Sequence, residues 1–165
     1  MSIIYQRRSV RSYTGEPVTD EQITELLRAA MAAPSAKNRQ PWDFVISRDN
    51  EKLKQVSNFH SFAKMLHTAS AAIIVCGHKN PDDAGFWVQD CAAATENILL
   101  RATELGIGSV WIGIYPKVER VEGVREIFGI PNDIFPLSIV SLGYPLNKHD
   151  PVDRFDPRKI HKETW

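Results

Sequence analysis

The feature that most constrains this fold is a long periodic segment at residues 82–105, DDAGFWVQDCAAATENILLRATEL. Its apolar residues recur at helical spacing and form one wide face. The members of that face are Phe86, Trp87, Cys91, Ala94, Ile98, Leu99 and Leu105. Asp82 and Asp83 suit the start of a helix, and Gly106 is typical of its end. A helix of roughly 24 residues would be about 36 Å long, so we expect it to be central and to be shared with a partner.

Four further segments predict strands, with shorter helices between them. The strands are WDFVISR (42–48), AAIIVCG (71–77), GSVWIGIYP (108–116) and PLSIVSLGYP (136–145). Helices are predicted after a capping box at residues 19–22, ending at Pro34, then near 50–57 and 61–67, and over 117–129. The tail from Asn147 has no core of its own, so it either frays or packs on another subunit. This order predicts one domain over residues 1–165, of α+β or α/β class.

Charge and cysteine usage narrow the possible functions. The chain carries 20 Lys and Arg against 20 Asp and Glu, which argues against general nucleic-acid binding because that needs a basic surplus. Cys76 and Cys91 lie in apolar segments without C-x-x-C spacing, so we expect buried, reduced thiols. The first residues lack a signal-peptide pattern and no apolar run reaches about 18 residues, so we expect a cytoplasmic protein.

A basic cluster stands in RRSVRSY at residues 7–13. Arg7, Arg8 and Arg11 fall in a stretch without acidic residues, and Ser9 adds a hydroxyl group. Guanidinium groups match pairs of phosphate oxygens, so this pattern indicates a phosphate site. The alternative is a solvated basic turn, because unpaired arginines also occur on protein surfaces.

The loop PSAKNRQPW at residues 34–42 concentrates polar side chains between two prolines. Asn38 and Gln40 each combine amide donors with an acceptor, which suits the mixed edge of a heterocycle. The alternative is an ordinary polar loop in which Pro41 merely fixes the entry into a strand.

Glycine positions distinguish two kinds of nucleotide site. The GIG at residues 106–108 follows a predicted helix and enters a strand, whereas a dinucleotide fingerprint requires a strand and then a helix. Gly113 stands at a strand end, where the missing side chain permits a flat ligand to approach backbone N–H groups. The five histidines are scattered, so no metal site is predicted from their spacing.

Together these motifs resemble the nitroreductase family of flavoproteins. The resemblance rests on RRSVRSY (7–13), APSAKNRQPWDFV (33–45), GSVWIGIYP (108–116), SLGYP (141–145) and RFD (154–156). They occur in the family's order and cover nearly the whole chain. The resemblance implies an α+β three-layer sandwich, with a central mixed four-stranded sheet flanked by helices. It also implies a homodimer that swaps its C-terminal segment onto the partner and holds FMN at the interface.

The resemblance further implies three groups of FMN-binding residues. The phosphate, ribityl chain and pyrimidine edge would be held by Arg7, Arg8, Ser9 and Arg11, with Arg154 completing the phosphate clamp. The other subunit would contribute Pro34, Ser35 and Asn38. The wall near flavin N5 would be formed by Trp111, Ile112 and the backbone N–H of Gly113.

Three loop positions depart from the family pattern. Ala36 replaces a small hydroxyl residue that is frequent after Ser35 in the family, which removes one polar contact. Lys37 and Arg39 are bulkier and more basic than the family pattern leads us to expect. They either favour an anionic substrate or the phosphate of a nicotinamide donor, or face solvent.

The implied activity is a ping-pong reaction in which NAD(P)H gives a hydride to flavin N5 and leaves. A nitroaromatic, quinone or similar acceptor then takes two electrons. The cofactor supplies this chemistry, so no dedicated acid or base is required. Two alternatives stay open: a specialised flavin enzyme of the reductive dehalogenase or flavin-fragmenting type, and a non-catalytic FMN-binding protein. No motif distinguishes NADH from NADPH or identifies the acceptor.

Overall fold

The computed structural model describes residues 2–78 and 85–165. In that part of the chain the helices are α1 (Ile3–Gln6), α2 (Asp20–Met31), α3 (Asn50–Phe59), α4 (Phe86–Glu104) and α5 (Val118–Phe128). The strands are β1 (Trp42–Ser47), β2 (Ala71–His78), β3 (Gly108–Gly113) and β4 (Ile134–Gly143). All four predicted strands are confirmed with shifted ends. The short helix α1 was not predicted, and the helix predicted near 61–67 is a 3₁₀ turn at Lys64–His67.

The capping box at the start of α2 is confirmed. The Thr19 hydroxyl accepts from the Gln22 N–H at 3.2 Å, and the Gln22 side chain accepts from the Thr19 N–H at 2.9 Å. These two bonds satisfy N–H groups that the first helical turn leaves unpaired. The helix ends at Met31, three residues before Pro34.

Helix α4 is the long central helix that the apolar periodicity predicted. It packs against α2 and against the sheet, and most of its predicted apolar face is buried. Phe86, the first residue of that face, is 46% exposed at the start of the helix. Asp82 and Asp83, predicted in the first turn, lie outside the described residues.

The four strands form one sheet in the order β1-β2-β4-β3. Every neighbouring pair is antiparallel, so the prediction of a mixed sheet is wrong. Period-two patterns and apolar runs indicate strands but carry no information on the direction of their neighbours. In this order β1 and β3 are the two edge strands, and each leaves one side of its backbone outside the sheet.

Two apolar layers cover the two faces of the sheet. Along β2, Ala72, Ile74 and Cys76 face the layer built with α3 and α5. Alternate β2 residues face the layer built with α2 and α4. All of β2 except its last residue is buried, which explains its unbroken apolar sequence. The fold is therefore a helix–sheet–helix sandwich, and both cysteines are buried as predicted.

The N-terminal basic segment is joined to the sheet by backbone and side-chain bonds. The Val10 N–H donates to the Ser109 carbonyl at 2.9 Å, and Ser9 forms a parallel bridge with Ser109. The buried Tyr13 hydroxyl lies 2.6 Å from Ser141 Oγ and donates to the Val10 carbonyl at 3.0 Å. Burial raises the pKa of Tyr13 to about 12. The arginines of this segment are thus held against the β3 edge.

The C-terminal tail has little contact with the described part of its own chain. The Val152 N–H donates to the Tyr5 carbonyl at 3.3 Å, and beyond it Phe155, Ile160 and Trp165 are exposed. The predicted swap of this segment onto a partner stays a prediction. Within residues 2–78 and 85–165, no helix combines the length and apolar character needed to cross a bilayer.

Candidate functional site

The free edge of β3 directs backbone groups away from the sheet. The Ser109 carbonyl accepts from Val10, outside the ladder with β4. In an antiparallel pair, alternate residues direct both N–H and C=O to the same side, so Trp111 and Gly113 also point away from β4. The Gly113 carbonyl accepts from two side chains on that side. The backbone N–H of Gly113, predicted to meet a ligand, therefore faces outward.

A cavity of about 450 Å³ lies against this edge. Its lining includes the predicted residues Arg11, Trp111, Ile112 and Gly113, together with His60, Lys64 and Arg120. A Cβ atom built on Gly113 would meet nothing within 4 Å, so the space in front of this glycine is open. Among the described lining residues there is no Asp or Glu, so the cavity is lined by cations without a neutralising carboxylate.

His60 and Arg120 both hold the Gly113 carbonyl. The His60 Nε2–H donates to it at 2.9 Å and Arg120 Nη1 donates at 3.0 Å. Burial is the main cause that lowers the pKa of His60, and the positive charges of Arg120 and Lys117 lower it further, against the effect of its bond to Gly113. The ring is therefore neutral at neutral pH, with its proton on Nε2.

A second cavity, of about 340 Å³, brings the other predicted arginines together. Its lining contains Arg7 and Arg8 together with Arg154, which is far from them in sequence. The Arg8 Nε atom is buried and has no hydrogen-bond partner among the described residues. A buried, unsatisfied guanidinium donor is unfavourable unless an acceptor fills the position. The lining also contains one carboxylate, that of Asp153, against the three arginines, so the cavity is positive overall and fits an anion.

A carboxylate close to Arg7 competes with a bound anion for the positive charge of this arginine. Its Nε lies 3.5 Å from Glu96 Oε1 on α4. Partial burial raises the pKa of Glu96, and Arg7 opposes that rise. Ser9, the remaining predicted phosphate contact, is exposed at the bridge with Ser109.

The loop at residues 34–40 has a strained backbone. Lys37, Asn38 and Gln40 have φ values of 55°, 54° and 50°, in the left-handed region that side chains other than glycine adopt at a cost of about 1–3 kcal/mol each. The Ser35 hydroxyl accepts from the Gln40 N–H at 2.9 Å, and Asn38 Oδ1 accepts from Gln40 Nε2 at 3.1 Å. These bonds leave the Asn38 amide donors and the Ser35 hydroxyl proton uncommitted among the described residues.

Buried Asp90 on α4 anchors this loop. Its Oδ1 accepts from the Ala36 N–H at 3.0 Å, while Oδ2 is buried without a partner in the described chain. Pro34 and Asn38 are exposed beside this anchor. A conformation strained at three positions and tied to a central helix is typical of a binding loop, because strain persists where the surroundings impose it.

One chain does not bring the loop and the Gly113 cavity together. The loop enters β1, and Gly113 ends β3, so β2 and β4 lie between the two edges. Three inter-strand spacings separate these edges by about 14 Å. The cavity beside Gly113 and the cavity that contains Arg7 and Arg8, by contrast, both border the N-terminal segment.

Sequence reasoning missed several residues of the site. His60, Arg120 and Lys64 line the Gly113 cavity, Asp90 anchors the loop, and Ser109 Oγ is buried without a partner among the described residues. His60 and Asp90 meet partners 53 and 54 positions away in the chain, so no local spacing marks them. The one available signal was Asp90 itself, a charged residue within the otherwise apolar face of α4.

Comparison with known proteins agrees with these motifs. The sequence model of the Nitroreductase family matches residues 4–64 and 60–144. A protein of Archaeoglobus fulgidus, provisionally named NADH dehydrogenase/NAD(P)H nitroreductase, is 52% identical over all of this chain and 98% of its own. A crystal structure from Parabacteroides distasonis, with the same provisional name, is 40% identical with a TM-score of 0.95 over 99% and 96% of the two chains. An FMN-dependent nitroreductase of Clostridium difficile is 29% identical with a TM-score of 0.92 over 99% of each chain.

Proposed function

Because this chain belongs to the nitroreductase family, we propose that it is an FMN-dependent oxidoreductase that passes two electrons from NAD(P)H to a nitroaromatic, quinone or similar acceptor. The observation that carries this proposal is the outward Gly113 N–H in an open cavity lined by cations. A flat cofactor can reach that N–H only where no side chain intervenes, and glycine meets this need.

The arginine cavity supports the phosphate end of the same cofactor. Arg7, Arg8 and Arg154 converge on it, and the unsatisfied Arg8 Nε needs an acceptor. A phosphate dianion offers several strong acceptors that guanidinium groups bind well. We therefore assign this cavity to the FMN phosphate, and Arg11 in the neighbouring cavity to the pyrimidine end.

The loop residues Pro34, Ser35 and Asn38 enter the proposal through a second copy of the chain. They precede β1, which lies at the opposite edge of the sheet from the strand of Gly113, so within one chain β2 and β4 lie between the two edges. In a two-fold dimer the contacts are reciprocal: where one residue of the first copy meets a second residue of the other copy, the second residue of the first copy meets the first residue of the other. We propose a homodimer in which each site combines the β3 edge of one chain with the loop of its partner.

The protein's task in this reaction is to hold and to surround the cofactor. FMN, when bound, would supply the two-electron chemistry between donor and acceptor. The Gly113 N–H would donate to the ring edge, and Arg11 would place positive charge near the pyrimidine carbonyls. Trp111, half-buried beside Gly113, would shape the wall and limit access of water.

The first test is the colour of the purified protein. We expect it to be yellow, or to become yellow with added FMN, and to bleach when NADH or NADPH is added without oxygen. A colourless protein that takes up no FMN would refute the proposal. A yellow protein that neither donor bleaches would instead favour an FMN-binding protein without turnover.

The second test addresses the residues. Arg11→Ala and Asn38→Ala should each weaken FMN binding about tenfold or more, because each removes a polar partner of a buried ligand group at roughly 1–3 kcal/mol. Fluorescence titration of the FMN-free protein measures the dissociation constant. Arg28→Ala on α2 and Asn58→Ala on α3 are matched controls, since both residues are exposed and neither lines the two cavities assigned to FMN. Unchanged affinity in both test variants would remove the site assignment.

A further inference from the structure

The peptide group that follows Gly113 is bonded from both sides. Its carbonyl accepts from His60 Nε2 at 2.9 Å and from Arg120 Nη1 at 3.0 Å. Its N–H, which belongs to Ile114, donates to the Leu137 carbonyl at 3.0 Å. The preceding peptide group is held by the ladder, because Ile112 pairs with Ile139 on β4. Gly113 therefore stands between two fixed peptide groups.

Because residue 113 is glycine, its backbone depends on these hydrogen bonds for a fixed conformation. It has the greatest backbone freedom of any residue, and a Cβ at Gly113 would touch nothing within 4 Å, so no packing restrains it. The β3 ladder ends at this residue. The bonds to β4 hold the Gly113 backbone on the inner side, and the two side-chain donors hold it on the outer side, where the cavity begins.

The two donors belong to different helices, α3 and α5. His60 is the C-terminal cap of α3, and its own N–H donates to Val56. The His60 Nδ1 accepts from the Phe62 N–H at 3.3 Å, which leaves Nε2 as the protonated nitrogen. Arg120 lies in the first turn of α5. Both nitrogens of the neutral imidazole are engaged, so the ring is oriented as a fixed donor.

We infer that His60 and Arg120 are positioning residues that fix the Gly113 backbone, so that its N–H meets the redox-active edge of the flavin. This inference rests on the proposed function. The two residues act through Gly113 and need not touch the cofactor. Arg120 also adds a positive charge to the cavity.

Two kinds of substitution distinguish the effect of the hydrogen bonds to Gly113 from the effect of side-chain packing. His60→Leu, Arg120→Met and their combination remove the donors, whereas His60→Gln and Arg120→Lys keep one. At saturating NAD(P)H, donor removal should slow anaerobic bleaching of the flavin roughly ten- to a hundredfold, as small displacements at reacting atoms do. The midpoint potential of bound FMN should shift with it, about 30 mV for each tenfold change in the relative affinity for its two redox states. The Gln and Lys variants should recover most of both quantities.

The controls are His67→Gln and Arg28→Met, which alter exposed residues away from this edge. Rates and potentials within twofold of the wild type in the double variant would overturn the inference. So would equal losses in the donor-keeping and donor-removing variants, because that result indicates packing alone. Circular dichroism and melting temperature identify any variant that fails to fold, and the Gln and Lys variants then carry the comparison.

A measurement without FMN separates this inference from the proposed function. In the FMN-free protein, the Gly113 amide resonance should move when both donors are removed, and hydrogen exchange should accelerate at the neighbouring Ile114 amide, which donates to the Leu137 carbonyl. If the Gly113 amide resonance does not change, His60 and Arg120 do not fix the Gly113 backbone, whether or not the wild type binds FMN. If the wild type takes up no FMN, the proposed function fails, and the assignment of the hold to a flavin fails with it.

Discussion

At the scale of single residues, two glycines of β3 have opposite requirements. A Cβ on Gly113 would meet open space, whereas a Cβ on Gly108 would lie 2.8 Å from Val10 Cγ1 and 3.1 Å from the Gly143 carbonyl. The first glycine leaves room for a ligand and the second leaves room for the N-terminal segment. The sequence alone predicted a role for Gly113, whereas it gave Gly108 no role beyond the start of the predicted strand.

We predict that Gly113→Ala folds with little loss of stability yet binds FMN at least about tenfold more weakly. Gly108→Ala should instead lower the free energy of unfolding by about 1–3 kcal/mol, because overpacking forces backbone to move. Urea unfolding of the FMN-free proteins and FMN titration measure the two quantities. A Gly113→Ala variant that keeps full FMN affinity would contradict the placement of the ligand.

His60 predicts a pH dependence of stability. Burial, with Arg120 and Lys117, holds its pKa below the ordinary value of 6.5 in the folded protein. The unfolded chain therefore binds a proton at a higher pH than the folded chain, and stability falls as pH drops below about 6.5 until the folded His60 is also protonated. His60→Gln should lose this contribution, so its free energy of unfolding should fall less than that of the wild type between pH 7.5 and pH 5. Parallel slopes for the two proteins in urea unfolding would contradict this expectation.

Residues of the site differ in how far the sequence could predict them. The structure brings Arg7, Arg8 and Arg154 into one cavity and places Arg11 in the cavity beside Gly113, while their binding of FMN stays a prediction. His60 and Asp90 were not predicted because their partners are brought near only by the sheet and by α4. A motif identifies a residue from its neighbours in the sequence. A hydrogen bond between residues far apart in the sequence is identified only from the tertiary structure.

At the scale of elements, amphipathic patterning was sufficient to predict that a helix or strand exists. It was not sufficient to predict the direction of each strand relative to its neighbours. The long α4 and the buried β2 follow from periodicity and apolar content. The antiparallel sheet does not, since strand direction depends on which connections cross the faces. Left-handed residues in the loop were also invisible in the sequence, because Lys37 and Gln40 are not residues that favour such φ values.

The loop depends on its anchor in α4. We predict that Asp90→Ala frees the Ala36 N–H and relaxes the strained residues, which should expose the bonds after Lys37 and Arg39 to trypsin. Cleavage at these two positions should be severalfold faster than in the wild type under native conditions. Asp49→Ala is the control, because Asp49 caps α3 through the N–H groups of Glu51 and Lys52. If both variants are cleaved alike in the loop, Asp90 has no specific role there.

At the scale of the whole molecule, the candidate site is divided between the two edges of the sheet. The β3 edge carries Arg11 and Gly113, and the β1 edge carries the loop with Asn38. The exposed Phe155, Ile160 and Trp165 of the tail lack cover from the described part of their own chain. Both features are consistent with the proposed dimer, in which α4 and the tail would contact the partner.

A mixing experiment tests the shared site directly. Arg11→Ala and Asn38→Ala damage different halves, so a dimer of one chain of each contains one site with both substitutions and one site with neither. If the halves come from different chains, unfolding and refolding an equal mixture should restore wild-type FMN affinity to about one quarter of the sites, as expected for random pairing of two chains in a two-fold dimer. Either variant refolded alone should restore none. If the mixture binds FMN no better than the two variants do separately, both halves belong to the same chain, and the proposed arrangement of the dimer is wrong.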